Sequence, residues 1–167
     1  VKFGSSLLKE KKIQSYILDS ELLLSKTLNK PREKILTNLD ANIEKKIFNI
    51  YKKYLIRRSK YEPVAYIFGE KEFWSKSFMV NKHTLIPRPE TELLVYGLLK
   101  IFNNKKISVL DIGTGSGCII VSLLTNLRQS VGIGIDISKK AILMAKKNVV
   151  RHKVNNRIKL INRSFEN

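Results

Sequence analysis

The chain has a single cysteine, Cys118, so no internal disulfide can form, which suits a reducing compartment. It has only two histidines, His83 and His152, and neither has other metal-ligand residues near it. No metal site is expected. No apolar run approaches the roughly 20 residues of a membrane span. The first residues lack the apolar core of a secretory signal. These absences point to a cytoplasmic protein without membrane contact.

Acidic residues are scarce too. Asp and Glu number 14 against 32 Lys and Arg, giving a net charge of +18 and a pI near 10.1. Such a surface favours anionic partners, including weak contact with nucleic acid or the ribosome. Lysine far outnumbers arginine, and Ile and Asn are abundant, a bias that AT-rich codons also produce. A hydrophobic content of 43% suffices for a packed core. The length allows one large domain, or one small domain and one incomplete one.

The most informative stretch runs from Ser108 to Leu127. Ser108 to Ile112 is apolar and β-branched apart from Asp111, as expected of a parallel strand covered on both faces. Gly113, Gly115 and Gly117 then permit a tight turn and close approach of a ligand to the backbone. Cys118 to Leu127 is apolar enough for a buried helix, whose first N–H groups would face that ligand. Cys118 itself is expected to be a small core residue.

Three nucleotide-type readings compete for a glycine-rich strand–turn–helix. The dinucleotide fingerprint needs its third glycine three residues after the second, but here the spacing is G-x-G-x-G, with Thr114 and Ser116 between the glycines. The P-loop needs a lysine after its last glycine, and Cys118 stands there. The spacing used for S-adenosylmethionine remains, with Asp111 just before the loop and Asp136 closing the next strand, Val131 to Asp136. Asp136 lies 19 residues after Gly117, where a ribose-binding carboxylate belongs.

Before this stretch, residues 1 to about 60 read as helices. Ile13, Ile17, Leu24 and Leu28 keep a helical spacing, flanked by Leu18 and Leu22. Pro31 suits the first turn of a short helix, 32 to 37. Asp40 or Asn42 can cap the next helix, whose apolar stripe is Ile43, Ile47, Ile50, Tyr51, Tyr54 and Leu55. Lys45, Lys46, Lys52, Lys53 and Arg57 cover its other side, as a solvated face or as a docking face. Glu62-Pro63 ends the helical region. Phe73 to Val80 suggests a strand pair joining two domains, with Phe73, Trp74 and Phe78 as linker core. Pro87 and Pro89 stiffen the backbone around Arg88, so this segment could wall a cofactor site. Thr91 and Glu92 lead a helix, with Glu90 and Glu92 as favourable charge in its first turn. After Asp136, Ser138 can cap a helix with Ala141, Ile142, Met144 and Ala145 inward and Lys139, Lys140, Lys146 and Lys147 outward. Arg157 to Asn162 is the next strand.

Glu62-Pro63-Val64-Ala65-Tyr66-Ile67-Phe68-Gly69, Glu72-Phe73-Trp74, Leu85-Ile86-Pro87-Arg88-Pro89-Glu90-Thr91-Glu92 and Asp111 to Gly117 occur in this order. With these motifs the chain resembles the bacterial release factor glutamine methyltransferase family (HemK or PrmC proteins) over nearly its whole length. The pattern S-x-x-A-x-x-x-A-x-x-N from Ser138 to Asn148 is also familiar from that family.

The resemblance implies an α/β protein: an N-terminal helical bundle followed by the first half of a Rossmann-like S-adenosylmethionine-dependent methyltransferase domain. The expected parts are a helical recognition domain (1–70), a linker hairpin (71–86) and the incomplete methyltransferase domain (87–167). The implied activity is methylation of the side-chain amide nitrogen of the Gly-Gly-Gln glutamine in peptide chain release factors. Gly113, Thr114, Gly115, Ser116 and Gly117 would cradle the cofactor, Asp136 would bind its ribose, and Asp111 would orient the loop or the cofactor's ammonium. Phe165 would pack on the adenine, while Ser164 stands where the family commonly has an acid. The family's Asn-Pro-Pro-Tyr motif occurs nowhere in these residues. No catalytic residue is therefore expected in this chain, which is read as a fragment, an engineered piece or a decayed gene and as inactive alone. A monomer is expected. The alternatives are an RNA or DNA exocyclic-amine methyltransferase, or a non-catalytic binding module or remnant.

Overall fold

The computed structural model describes residues 1–37, 42–103 and 105–165. It divides into two units, Val1–Phe68 and Gly69–Asn167. No helix among the described residues is long and apolar enough to cross a membrane.

The first unit is a helical bundle of α1 (Lys2–Glu10), α2 (Tyr16–Leu28), α3 (Arg32–Leu36), α4 (Lys45–Ser59) and α5 (Val64–Phe68). Its core gathers Leu8, Ile13, Leu23, Leu24, Tyr51 and Leu55. On α2 the burial departs from the expected stripe. Ile17 and Leu18 are 49% and 45% exposed, whereas Asp19, Ser20 and Glu21 are buried. Each of these polar side chains has a partner. Arg58 Nε donates to Asp19 at 2.7 Å, Ser20 Oγ meets Tyr51 Oη at 2.6 Å, and Arg32 Nε donates to Glu21 at 2.7 Å. A charge enters a protein interior only when so paired.

Asp40 lies outside the described residues, and Glu44 holds the N-cap position of α4 without a side-chain cap bond. The helical region does not end at Pro63. Tyr61 takes a left-handed φ of 64°, and α5 then starts after Pro63, whose fixed φ suits a first turn. Arg57, expected on the solvated face, instead clamps this corner. It bonds both Glu62 oxygens at 2.6 and 2.8 Å and the Tyr66 and Ile67 carbonyls at 3.2 and 3.3 Å.

In the second unit, β1 (Glu70–Phe73) and β2 (Lys76–Met79) form an antiparallel hairpin. Phe73 and Phe78 are fully buried in this unit's own core. The hairpin turn places Trp74 and Ser75 at φ of 52° and 53°, an uncommon conformation for non-glycine residues. Glu92, in the first turn of α6 (Thr91–Ile101), accepts the Trp74 N–H at 2.8 Å. That bond gives the carboxylate a task beyond complementing the helix dipole.

Three parallel strands follow in the order β3 (Ser108–Ile112), β4 (Val131–Asp136), β5 (Ile158–Asn162). Helix α7 (Cys118–Asn126) connects the first two, and α8 (Lys139–Arg151) the second two. Right-handed crossovers that step in one direction across a sheet put their helices on one face. Accordingly the described residues cover only one face. Gly132 and Gly134 of β4 point to the covered side, where Ile120 of α7 and Thr114 sit against them. On the other face Leu110, Ile112, Val131 and Ile133 are 39–53% exposed. The expectation of a strand covered on both faces is therefore met on one side only. Arg157 closes the far end of α7, donating to the Leu124, Leu127 and Ser130 carbonyls at 2.7, 3.0 and 3.1 Å. Helices leave such C-terminal carbonyls without partners of their own.

Candidate functional site

The loop between β3 and α7 is shaped by three glycines with positive φ: Gly113 at 73°, Gly115 at 56° and Gly117 at 78°. Their backbone conformation excludes most side chains. A Cβ on Gly113 would meet nothing within 4 Å, and one on Gly115 only the Gly113 carbonyl at 3.8 Å. These two glycines border open space. Gly117 is different, because a Cβ there would touch Ala145 of α8 at 3.4 Å.

Backbone bonds hold the loop against the end of β4. The Gly113 and Thr114 N–H groups both donate to the Ile135 carbonyl, at 2.8 and 2.9 Å. The Gly115 N–H donates to one oxygen of Asp136 at 2.9 Å, and the Ser138 N–H to the other at 2.8 Å. One carboxylate thus pins both the loop and the entry to α8, where Ser138 Oγ accepts the Ala141 N–H at 3.2 Å. An ionised carboxylate offers about four acceptor sites, so these bonds leave Asp136 capacity for a ligand.

Asp111 lies on the other side of the loop and accepts the Thr114 hydroxyl at 2.7 Å. Burial raises its pKa; the Thr114 hydroxyl and the Ile120 amide act against that rise, and the nearby Asp136 charge adds to it. The Thr114 and Ser116 side chains are buried, the first bonded to Asp111 and the second beside the Cys118 thiol. Only their backbone remains for a ligand. Burial pushes the Cys118 thiol up to about 11, so it stays protonated and inert.

A cleft of about 330 Å³ opens at the carboxyl ends of the strands, lined by Ile112, Gly113, Ile135, Asp136, Ile137 and residues 163–165. Open α/β sheets bind ligands at that end. Phe165 sits on its rim, 64% exposed. Asn162, which sequence reasoning did not single out, donates to the Asp136 and Ile137 carbonyls at 2.9 and 2.8 Å and fixes the wall. The stiff segment 85–90 does not line this cleft, and Arg88 is exposed. His152 meets the Ser77 carbonyl at 3.0 Å and packs on Phe78, a structural role. Among the described residues, no group of three or more His, Cys, Asp or Glu could hold a metal ion.

The raised Asp111 pKa carries a sign. The folded protein binds this proton more readily than the unfolded chain does. The penalty for ionised Asp111 is therefore fully present above the folded pKa and is relieved as pH falls toward the unfolded value. Asp111→Asn keeps an acceptor for Thr114 and drops the charge. It is expected to raise Tm by a few degrees at neutral pH, an advantage that shrinks on acidification. Melting curves from about pH 7 to about pH 4 check this, and an advantage that grows on acidification would refute it.

A helical bundle followed by a parallel sheet, with a glycine loop pinned by the acid of the next strand, defines a Rossmann-like methyltransferase arrangement. Comparison with known proteins narrows this. Residues 1–69 match the PrmC N-terminal domain, and residues 103–167 match a methyltransferase domain. A release factor glutamine methyltransferase from Leptospira interrogans is 42% identical over 154 residues, covering 90% of this chain and 54% of that protein. One from Buchnera aphidicola is 41% identical, covering 83% and 50%. A bifunctional methyltransferase from Rickettsia conorii is 38% identical, covering 93% and 34%. The chain is a homologue of the HemK/PrmC-like release factor glutamine methyltransferases. It spans between a third and just over half the length of these relatives.

Proposed function

We propose that this chain serves S-adenosylmethionine-dependent methylation of the side-chain amide of the Gly-Gly-Gln glutamine in peptide chain release factors, in the cytoplasm. The observation that carries the reading is one polypeptide joining a PrmC-type N-terminal domain to a glycine loop pinned by Asp136. In this reading residues 1–70 recognise the release factor, 71–86 form the connecting hairpin, and 87–167 hold the cofactor.

The open space beside Gly113 and Gly115 and the spare acceptor capacity of Asp136 fit such a cofactor. When bound, S-adenosylmethionine supplies a methyl group already activated by its sulfonium. Gly113 and Gly115 let its amino acid part approach the backbone, and Asp136 accepts the ribose hydroxyls. Asp111, partly buried and raised in pKa, offers a negative charge that a ligand ammonium would stabilise. Phe165, on the cleft rim, covers the adenine, with Ser164 as its neutral neighbour. Thr114, Ser116 and Gly117 shape the loop. The protein's contribution is orientation and exclusion of water. No residue of this chain is assigned to the acceptor amide.

Calorimetry tests the cofactor assignment. The chain is expected to bind S-adenosylmethionine and its demethylated product, and NAD far more weakly. Asp136→Ala should weaken binding by about 1–3 kcal/mol, and NMR should show the Asp111 pKa falling when the cofactor binds. Tight NAD binding, with none for the sulfonium or its product, would sink the reading. Mass spectrometry of the release factor from cells with and without the gene tests the substrate. An unchanged glutamine would overturn that part alone.

A further inference from the structure

The outward face of α8 carries Lys139, Lys140, Lys146 and Lys147, with Leu143 between them 51% exposed and Val150, beyond Lys147, 66% exposed. Beside it lies a second groove, of about 420 Å³, distinct in its lining from the cleft at the strand ends. Leu143 and Met144 line it together with Lys140, Lys146, Lys147, Asn81 and His83. No carboxylate among the described residues lines it. Among the described residues, none of these lysines, nor the adjoining Lys82, forms an ion pair. The other basic side chains of comparable interest, Arg57, Arg58 and Arg157, are all engaged within the fold. Partial desolvation first, and then the charges of Lys140 and Lys82, hold the His83 pKa below its ordinary value. The groove thus sets apolar Leu143 and Met144 beside three lysines without ion-pair partners among the described residues.

Its chemistry separates two kinds of anionic partner. Surfaces that grip single-stranded nucleic acid combine phosphate contacts with stacking on aromatic rings and arginine planes. Among the described residues, this groove has no Arg, Phe, Tyr or Trp in its lining. Leucine and a pliable methionine between lysines suit an apolar side chain flanked by carboxylates. Lys140 and Lys147 are seven residues apart on α8, or about 10 Å along the helix axis. Two carboxylates about two helical turns apart would match them. We propose that this groove is a docking site for an acidic amphipathic segment of a protein partner, with an apolar side chain on Leu143 and Met144 and carboxylates on Lys140 and Lys147. The site is independent of the cofactor and substrate assigned above.

The test uses the whole chain and two fluorescent probes: a helical peptide with a leucine between glutamates seven residues apart, and an oligouridylate of similar charge. The peptide is expected to bind, and its binding to weaken as salt rises. The double reversal Lys140→Glu/Lys147→Glu should weaken it about tenfold or more. The reversal Lys105→Glu/Lys106→Glu, just ahead of β3 and outside this groove, should leave it nearly unchanged. In NMR the His83 pKa should rise when the peptide binds, as carboxylates neutralise Lys140. All four lysines are exposed, so circular dichroism should show both double variants folded. Equal loss in both double variants would reduce the effect to net charge and overturn the proposal. So would an unmoved His83, no measurable peptide binding, or tighter binding of oligouridylate that the α8 reversal abolishes.

Discussion

Replacing Asn148 with leucine is expected to cost about 3–6 kcal/mol, enough to unfold much of the second unit at room temperature. Asn148 is fully buried in α8. Its Oδ1 accepts the Met79 N–H at 2.7 Å, and its Nδ2 donates to the Met79 carbonyl at 2.9 Å and the Ser116 carbonyl at 2.8 Å. One side chain thereby joins hairpin, glycine loop and helix. Leucine keeps the same branching and number of heavy atoms with bulkier ends, so no cavity opens. The cost comes from three backbone groups left without partners, the Ser116 carbonyl buried and the two Met79 groups part-buried, the latter at the low end of about 1–3 kcal/mol each. Asn148→Asp separates this account from a packing effect. It keeps the acceptor for Met79 but turns a charge toward two carbonyls, so its folded pKa is raised. That penalty is present above the folded pKa and relieved as pH falls through it. Urea denaturation followed by circular dichroism should show the aspartate variant recovering stability on acidification and the leucine variant not. A leucine variant as stable as the parent would show that the three bonds contribute nothing.

In the first unit, Gly4→Ala is expected to destabilise by about 2–4 kcal/mol. On an exposed helix the same change would gain about 1 kcal/mol. Here the new Cβ would overlap the Tyr51 hydroxyl and lie 2.7 Å from Ser20 Oγ. Tyr51 is 1% exposed and cannot swing aside. Its hydroxyl is held by Ser20 Oγ at 2.6 Å and lies 3.2 Å from the Ser20 carbonyl. The methyl group must therefore break a buried hydrogen bond or part α1 from α4, and either outweighs the helical gain. In a Tyr51→Phe background the offending oxygen is gone, so Gly4→Ala should cost clearly less. Thermal melts of the four-member cycle measure that coupling. A stabilising Gly4→Ala in the parent would disprove the contact.

What could be read from the sequence was local. The strand ending at Ile112, the G-x-G-x-G turn, the Ser138 cap and the strand 158–162 each follow from patterns spanning a few residues. What could not be read depends on partners far along the chain. Nothing near Asp19 tells that Arg58, 39 residues on, will bring it inside while Ile17 stays out. Met79 and Asn148 are 69 residues apart, and Arg157 reaches back 33 residues to Leu124. At the candidate site the spacing set Asp136 beside the loop. That its oxygens already hold the Gly115 and Ser138 amides, and that the Thr114 and Ser116 side chains turn inward, are tertiary facts without a sequence signature. The left-handed Trp74-Ser75 turn was equally hidden, because neither residue advertises it.

The half-covered sheet sets how these molecules behave toward one another. Leu110, Ile112, Val131 and Ile133 make an apolar surface on a particle whose formal charge is +18. In dilute buffer the like charges act over a Debye length of about 30 Å and hold the particles apart before the apolar faces can meet. At physiological ionic strength that reach shrinks to about 8 Å, and short-range attraction between the faces takes over. Colloidal stability of the 167-residue chain is therefore greatest where salt is lowest, the reverse of a protein salted into solution.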